Sequence, residues 1–574
     1  MSRSAVGARW PARAAAALGL AGLAASARPG PDFDRYLEWA RAARSADTFQ
    51  LLGHTLSPFG VPFSHWSHGT GFVFAASRWL LGDLASARQS ALAVGWLAAV
   101  AFWFAMHRLL AKVARGDGAL TLLGVALVFV ATPAGFYSFT HASESLSLAC
   151  LAVVACWLVV PRAWRPLDAL VLGAACGLLV VVRAQLAIYV AVALGAFLHR
   201  LRAGPGLRPV LLACAALPVT VAVAQVLMVN RWMTGSLVGS PYAYGASGFR
   251  SLDFAHPELR AVLLHPWHGL LAYHPLYAVC FVALCAALGR AESPPRRALY
   301  AALTVVLLGH LYLQAAHFAW WLGWGTFGMR ALAIAAVVLV PVLIEHLARR
   351  RAAAAATRLW LLAALACALW SYLLLRQGET NFMSYGQLLS AQRTQLGREI
   401  TAGHFVPLLV ATGAAWAVPE RRRSDPLLWG VAILAGSLAA LGLVSEVVDR
   451  FRLAARLGLP ATVLAECVLV TLPLLAFPRS GVDRPRGRVL EGGVAVGLLV
   501  VFVVVSVSFA RLALRTETLD PGAARAGRVF WYRGTLDWGE LQATYQEYLR
   551  VPGFEEKKAR LRAFLDAWAA AHST

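Results

Sequence analysis

Two carboxylates stand two residues apart in RPGPDFDRYLEWARAARSAD, residues 28 to 47. Asp32 and Asp34 open a segment with Phe33, Tyr36, Leu37, Ala40 and Ala43 at helical spacing. A carboxylate flanked by apolar surface and cations can accept the proton of an attacking hydroxyl, so the pair is a candidate source of a general base. Two positions apart on a helix, side chains diverge to nearly opposite sides, and only one can serve. Asp32 is preferred, because behind Pro31 it also suits the N-cap, where a carboxylate satisfies open backbone amides. Asp34 stays as the alternative base, and otherwise as a supporting or surface residue.

The same segment supplies Tyr36, and the loop continues as SPFGVPFSHWSHGTGFVFAASRWLLG, with His65, Trp66 and His68 ahead of a second apolar-faced helix. Two histidines three apart can ligate a metal, yet no cysteine or close carboxylate accompanies them. An aromatic and imidazole wall for a sugar or phosphate is the better reading, and no metal site is assigned. Further polar residues interrupt apolar runs: His141 and Glu144 in FTHASESLSL, Arg183 and Gln185 in GLLVVVRAQLAIY, and Asn230, Tyr242 and Tyr244 in NRWMTGSLVGSPYAYG. LLHPWHGLLAYHPL adds His265, His268 and His274, and HFAWWLGWGTFGMRAL adds His317, Trp320, Trp321, Trp324 and Arg330. Ionisable groups at membrane depth are costly, so each is a functional candidate. The ordinary alternatives are an aromatic belt for the Trp and Tyr residues and snorkelling to headgroups for Arg183 and Arg330.

The elements that must position these residues are membrane helices. Of 574 residues, 59% are hydrophobic and only 14% charged, and the mean hydropathy of +0.62 lies outside the soluble globular range. Apolar runs able to cross roughly 30 Å of hydrocarbon recur along the chain. They lie near 12–28, 88–108, 118–136, 145–160, 167–183, 184–199, 209–229, 269–289, 298–317, 330–347, 359–375, 404–419, 426–446, 459–477 and 490–510. The expectation is an all-α polytopic bundle of about fifteen crossings, with 167–199 alternatively one long stretch interrupted by Arg183.

A formal net charge of +23 would suit nucleic acid, but the arginines form short clusters between apolar runs rather than a continuous stripe, and no nucleic-acid partner is assigned. Membrane topology explains them. With the N-terminus cytoplasmic, every second loop collects the basic residues, from Arg108, Lys112 and Arg115 to Arg479, Arg484, Arg486 and Arg488. That places 29–87, 230–268, 318–329, 376–403 and the tail from about 511 on the extracytoplasmic side of an inner (plasma) membrane. The first run is short and Ala-rich, and ASA before Arg28 has the small-residue pattern of a signal-peptidase site; by either reading Asp32 emerges outside. All eight cysteines fall within apolar runs, as small core residues rather than a disulfide or zinc framework.

Under this topology, which apolar runs and loop arginines define without reference to these residues, Asp32, His141, Arg183, Asn230, His268 and Arg330 all fall at or near the outer ends of their helices. A base, arginines able to hold a phosphate and aromatic surface for sugar rings would make a transferase site at the lipid boundary.

At these residues the chain resembles the GT-C superfamily of polytopic glycosyltransferases, including bacterial relatives of the protein O-mannosyltransferases and aminoarabinose transferases. DFDRYLEWARA is similar to their acidic first-loop motif, with Asp32 at the acidic position and Tyr36 at the aromatic one. SHGTGFVF, THASESLSL, GLLVVVRAQ, GSPYAYG, HPWHGLLAYHPL and WGTFGMRAL resemble later segments in the same order. Relatives often carry adjacent Asp-Glu, whereas Phe33 separates the two acids here, which leaves Asp32 or Asp34 open as the base.

The resemblance covers about residues 10–350, a catalytic module that includes the loop 29–87. Beyond it lie further membrane helices over 351–510 and a polar tail over 511–574. It implies transfer of a sugar, with inversion, from a polyprenyl-phosphate lipid to an acceptor hydroxyl on a glycan, lipid or protein of the cell envelope. Asp32 would be the base and Arg183 and Arg330 the phosphate ligands. Tyr36, His65, His68, His141, Asn230 and His268 would line the pocket, with a divalent cation as a possible cofactor used by some members. The rival reading is a transporter or flippase for a lipid-linked or small polar substrate, which would place its binding groups on broken helices near the midplane.

Overall fold

The computed structural model describes residues 68–81, 87–139, 143–159, 164–203, 208–234, 237, 254–266, 268–291, 293–317, 328–350, 354–377, 382, 384–401, 404–417, 425–450, 459–476 and 485–516. Among them the chain is all-helical, without a strand. The first described helix is α1 (His68–Leu81), followed by α2 (Ala87–Val113), α3 (Gly118–Val130), α4 (Pro133–Tyr137), α5 (Ser143–Val159) and α6 (Pro166–Val182). Next come α7 (Ala187–Ala203), α8 (Arg208–Thr234), α9 (Leu259–Leu264), α10 (Leu270–Tyr273), α11 (Leu276–Gly289) and α12 (Pro294–Ala316). The remainder are α13 (Ala336–Arg349), α14 (Ala354–Gln377), α15 (Tyr385–Thr401), α16 (Phe405–Trp416), α17 (Pro426–Arg450), α18 (Leu459–Ala476) and α19 (Pro485–Thr516).

Among the described residues, six stretches are long and apolar enough to cross a bilayer: Leu92–Val113, Ala184–Arg202, Arg208–Asn230, Pro294–Ala316, Arg330–Arg349 and Ala355–Gln377. This is a membrane protein built as a helical bundle. Local sequence sets the joints. The turn between α2 and α3 is written in VARGDG, where Arg115 and Gly116 adopt positive φ and the Gly116 amide donates to the Ala111 carbonyl to close the outgoing helix. Asp117 then caps the next helix by accepting from the Leu120 amide at 2.9 Å.

One apolar core runs through most of the helices, from Phe72 to Phe509. The most extensive helix contact joins α6 to α8, and the sequence explains it: GAACG, residues 173–177, sets two small residues four apart on one face of α6. A Cβ at Gly173 would lie 2.3 Å from the Ala215 carbonyl oxygen, so only glycine allows this approach.

Several expected crossings are interrupted. The run 118–136 breaks at Ala131 and Thr132, because Pro133 cannot continue α3 and instead opens α4 under a Thr132 cap. The run 269–289 divides into α10 and α11 at His274-Pro275. The stretch 167–199, by contrast, is two helices, matching the separate runs 167–183 and 184–199; they part at Arg183, whose backbone is extended ahead of a 3-10 turn over Ala184–Leu186. The helix α16 has 12 residues, about 18 Å at 1.5 Å per residue, short for the expected crossing over 404–419.

The expected outer loop 376–403 instead contains α15. Its inward face is polar, with Gln392, Gln395 and Glu399 buried beside Leu388, so an apolar pattern could not announce it. Helix α19 extends to Thr516, into the expected tail. The cysteines are all helical and free, but Cys285 is exposed rather than part of the core. The first expected crossing, 12–28, and most of the tail lie outside the described residues.

Candidate functional site

Glu144 is the second residue of α5, where the positive end of the helix dipole favours a carboxylate. Arg183 follows the last residue of α6, and Arg330 opens a 3-10 turn, Arg330–Ala335, that leads into α13. Helices α5 and α6 pack together, and the 3-10 turn packs on α4 and α5, which brings the three charges to one point. Arg183 donates from Nη2 to Glu144 Oε1 at 2.6 Å. Arg330 donates from Nε to the same oxygen at 2.5 Å and from Nη2 to Oε2 at 3.1 Å. Residues 39 and 186 positions from Glu144 thus meet on one carboxylate.

The layering matters chemically. Glu144's side chain is 1% exposed, whereas Arg183 and Arg330 keep 16% and 20%. The carboxylate lies beneath, and the arginine side chains are its more exposed partners. Two cations against one anion leave this triad with one net positive charge, and each guanidinium has five N–H donors in a planar fork suited to phosphate. A divalent cation does not suit such a centre, because both guanidinium groups would repel it. Among the described residues no group of three or more His, Cys, Asp or Glu side chains is arranged to hold a metal.

Neighbouring polar contacts hold the arginines in place. The Tyr277 hydroxyl donates to the Leu332 carbonyl at 3.0 Å, pinning the 3-10 turn that carries Arg330. Behind Arg183, the Tyr189 hydroxyl and His310 Nδ1 are hydrogen-bonded at 3.1 Å between α7 and α12. His310 is fully buried and within electrostatic reach of Arg183.

His68 begins α1, and the following residue, Gly69, lies directly against the Val181 backbone, two positions before Arg183. The start of α1 therefore lies beside the arginine end of α6. The His68 ring itself is buried against Phe72 and Phe509, with ring centroids 6.0 and 5.7 Å away, which makes it part of an aromatic wall rather than a ligand of the arginines.

His268 is buried with φ of 85°, a left-handed conformation that a residue with a Cβ adopts only where its surroundings hold it. Its ring lies 6.2 Å from Tyr273, and Tyr273 and His274 pack against the Gly328 turn, two residues before Arg330. Asn230, near the end of α8, donates to the Leu237 carbonyl at 3.3 Å. Asp32, Asp34, Tyr36, His65 and His141 lie outside the described residues.

The sequence thus indicated Arg183 and Arg330, but not that Glu144 joins them. Glu144 stood among the polar candidates as an acid at the start of an apolar run, but nothing local in the sequence tied it to either arginine. The Tyr189–His310 pair carried no signal, since both residues sit alone in apolar helices.

Comparison with protein-family models, curated proteins and solved structures finds no match to this chain.

Proposed function

We propose that this chain is a GT-C-type membrane glycosyltransferase that moves a sugar from a polyprenyl-phosphate donor to an acceptor hydroxyl at the extracytoplasmic face. In this reading the chain crosses a plasma membrane about fifteen times with its N-terminus inside. The observation that supports it is the meeting of Arg183 and Arg330 on buried Glu144, at the end of the bundle where α1 also begins. A polyprenyl-phosphate sugar is a phosphodiester with one negative charge, which matches the single positive charge of the triad.

The chemistry follows from that charge balance. Asp32 removes the proton of the acceptor hydroxyl, its oxygen attacks the anomeric carbon from the face opposite the phosphate, and the carbon–oxygen bond to phosphate breaks with inversion. The departing phosphate gains a second negative charge, and the two guanidinium groups stabilise it where it develops. Apolar helix faces hold the lipid chain at the membrane boundary. Glu144 orients both forks and fills their inner donors, so the outward N–H groups are already aimed when the donor arrives.

Equilibrium binding of polyprenyl phosphate to the full chain in lipid nanodiscs tests this directly. Arg183→Ala and Arg330→Ala are each expected to weaken binding by about tenfold or more, the value of one charge-assisted contact. Affinities equal to wild type in both variants contradict the assignment.

The break at Arg183 between α6 and α7 favours a second reading, a transporter or flippase of a lipid-linked substrate, since transporters bind on discontinuous helices. Proteoliposomes separate the two: flux of the lipid-linked sugar without turnover supports transport.

A further inference from the structure

The last third of the chain, which the sequence marked only as hydrophobic, holds a second ionisable centre. Glu399, near the end of α15, is 2% exposed and accepts bonds from the Tyr372 hydroxyl at 2.9 Å, Gln395 Nε2 at 2.6 Å and Arg376 Nε at 3.3 Å. The chain then turns, and His404, just ahead of α16, places Nδ1 3.0 Å from Glu399 Oε2. Its other nitrogen, Nε2, is 3.9 Å from Oε1 of Glu466 on α18. Glu466 lies within an apolar helix and its side chain is 1% exposed, while His404 keeps 18%.

An imidazole between two buried carboxylates is an electrostatic trap for a proton, because each carboxylate favours the imidazolium. The geometry also has direction, since His404 is partly exposed whereas Glu466 is buried within an apolar helix. We propose that Glu399, His404 and Glu466 form a proton-binding and proton-passing site, in which His404 takes a proton from water and delivers it to Glu466. The step balances simply. A proton from hydronium adds to the neutral imidazole. The imidazolium then donates Nδ1–H to Glu399 and Nε2–H to Glu466. Transfer of the Nε2 proton leaves a neutral Glu466 carboxylic acid and a neutral imidazole still bonded to Glu399.

A closure of about 1 Å brings Nε2 and Oε1 to hydrogen-bonding distance. Arg376, Tyr372 and Gln395 keep Glu399 ionised, so the two acids have different roles: Glu399 orients the ring and Glu466 receives the proton. Among the described residues, the titratable and charged groups facing His404 are Glu399 on α15, Tyr372 and Arg376 on α14 and Glu466 on α18. Helix α17 contributes Ser437, bonded to Thr412 of α16. Consistent with this setting, His404 titrates above its ordinary value, raised chiefly by its hydrogen bond to Glu399.

Infrared difference spectroscopy of the full chain in nanodiscs, titrated from about pH 9 to about pH 4, reads the site through the carbonyl stretch of a protonated carboxyl. Wild type is expected to gain such a band on acidification. Glu466→Gln, a near-isosteric change, should remove it. His404→Gln should shift its midpoint by at least one pH unit, with thermal melts of both variants confirming that they are folded. A band that persists unchanged in Glu466→Gln overturns the proposal. So does a band whose titration is displaced by added Ca2+ or Na+ at constant pH, which would make the site one for metal cations.

Discussion

Breaking the Glu144 triad from its two sides should have unequal consequences. Arg330 supplies two described bonds to the carboxylate and Arg183 one, and the neighbouring Ser143 hydroxyl adds a longer one at 3.4 Å. Removing one charged partner leaves the other with an incompletely paired carboxylate, at about 1.5–3 kcal/mol for a single charge-assisted bond. Loss of a partner in a buried ion pair reaches about 3–5 kcal/mol. Since the arginines retain 16% and 20% exposure, the lower half of each range applies. Arg183→Met should therefore destabilise by about 1.5–2 kcal/mol and Arg330→Met by about 3 kcal/mol.

Glu144→Gln is destabilising alone, because it leaves two guanidinium groups side by side, and it should cost less when combined with Arg330→Met. The expected coupling in that double-mutant cycle is about 1–2 kcal/mol. The protein carries its own reporter. Five free cysteines, Cys150, Cys156, Cys176, Cys280 and Cys367, are buried and become reactive to a maleimide dye only on unfolding, while exposed Cys285 sets the baseline. Denaturation followed by this labelling gives all four stabilities. Additive effects, or a larger loss from Arg183→Met than from Arg330→Met, would refute the geometry.

Other outcomes follow from the packing and the charges. Gly173→Leu forces α6 from α8 at the Ala215 backbone and should lower stability by several kcal/mol in the same assay, whereas exposed Leu217→Ala on α8 should change it little. The Glu399–His404 pair predicts a window in pH. Burial pushes Glu399 up, but its hydrogen bond with His404 and the charge of Arg376 outweigh that and hold it down to about 2 from its usual 4.5, so its contribution is present above 4.5 and lost as pH falls through about 2. His404 is raised from 6.5, so its contribution is complete below 6.5 and is lost as pH rises through its higher folded value. The pair should stabilise most between 4.5 and 6.5, and His404→Gln should cost more stability there than at about pH 9. Equal losses at both pH values would contradict the pairing.

How much of this could be read in the sequence depended on periodicity. Long apolar helices such as α8 and α12 were legible because length and hydropathy alone define them. Breaks at Pro133 and Pro275 were legible in residue type, yet continuous hydropathy on either side hid them. Helix α15 escaped because its buried face is Gln392, Gln395 and Glu399, a polar stripe that satisfies itself through Tyr372, Arg376 and Trp370 on α14. Arg183 and Arg330 stood out as charges within apolar runs, but their shared partner did not. Which carboxylate lies between two arginines distant in sequence is a matter of tertiary packing, and no local pattern encodes it.

The central claim is that an aspartate of the first loop performs base chemistry on a lipid-linked sugar held by the arginine pair. Turnover of a panel of polyprenyl-phosphate sugars by purified wild type, Asp32→Asn and Asp34→Asn tests it most directly. The account predicts that wild type transfers or hydrolyses at least one donor, that Asp32→Asn loses about 10²–10⁴-fold in rate, and that Asp34→Asn retains most of it. Wild-type rates in both variants, or no donor turned over by the wild-type protein, would contradict it.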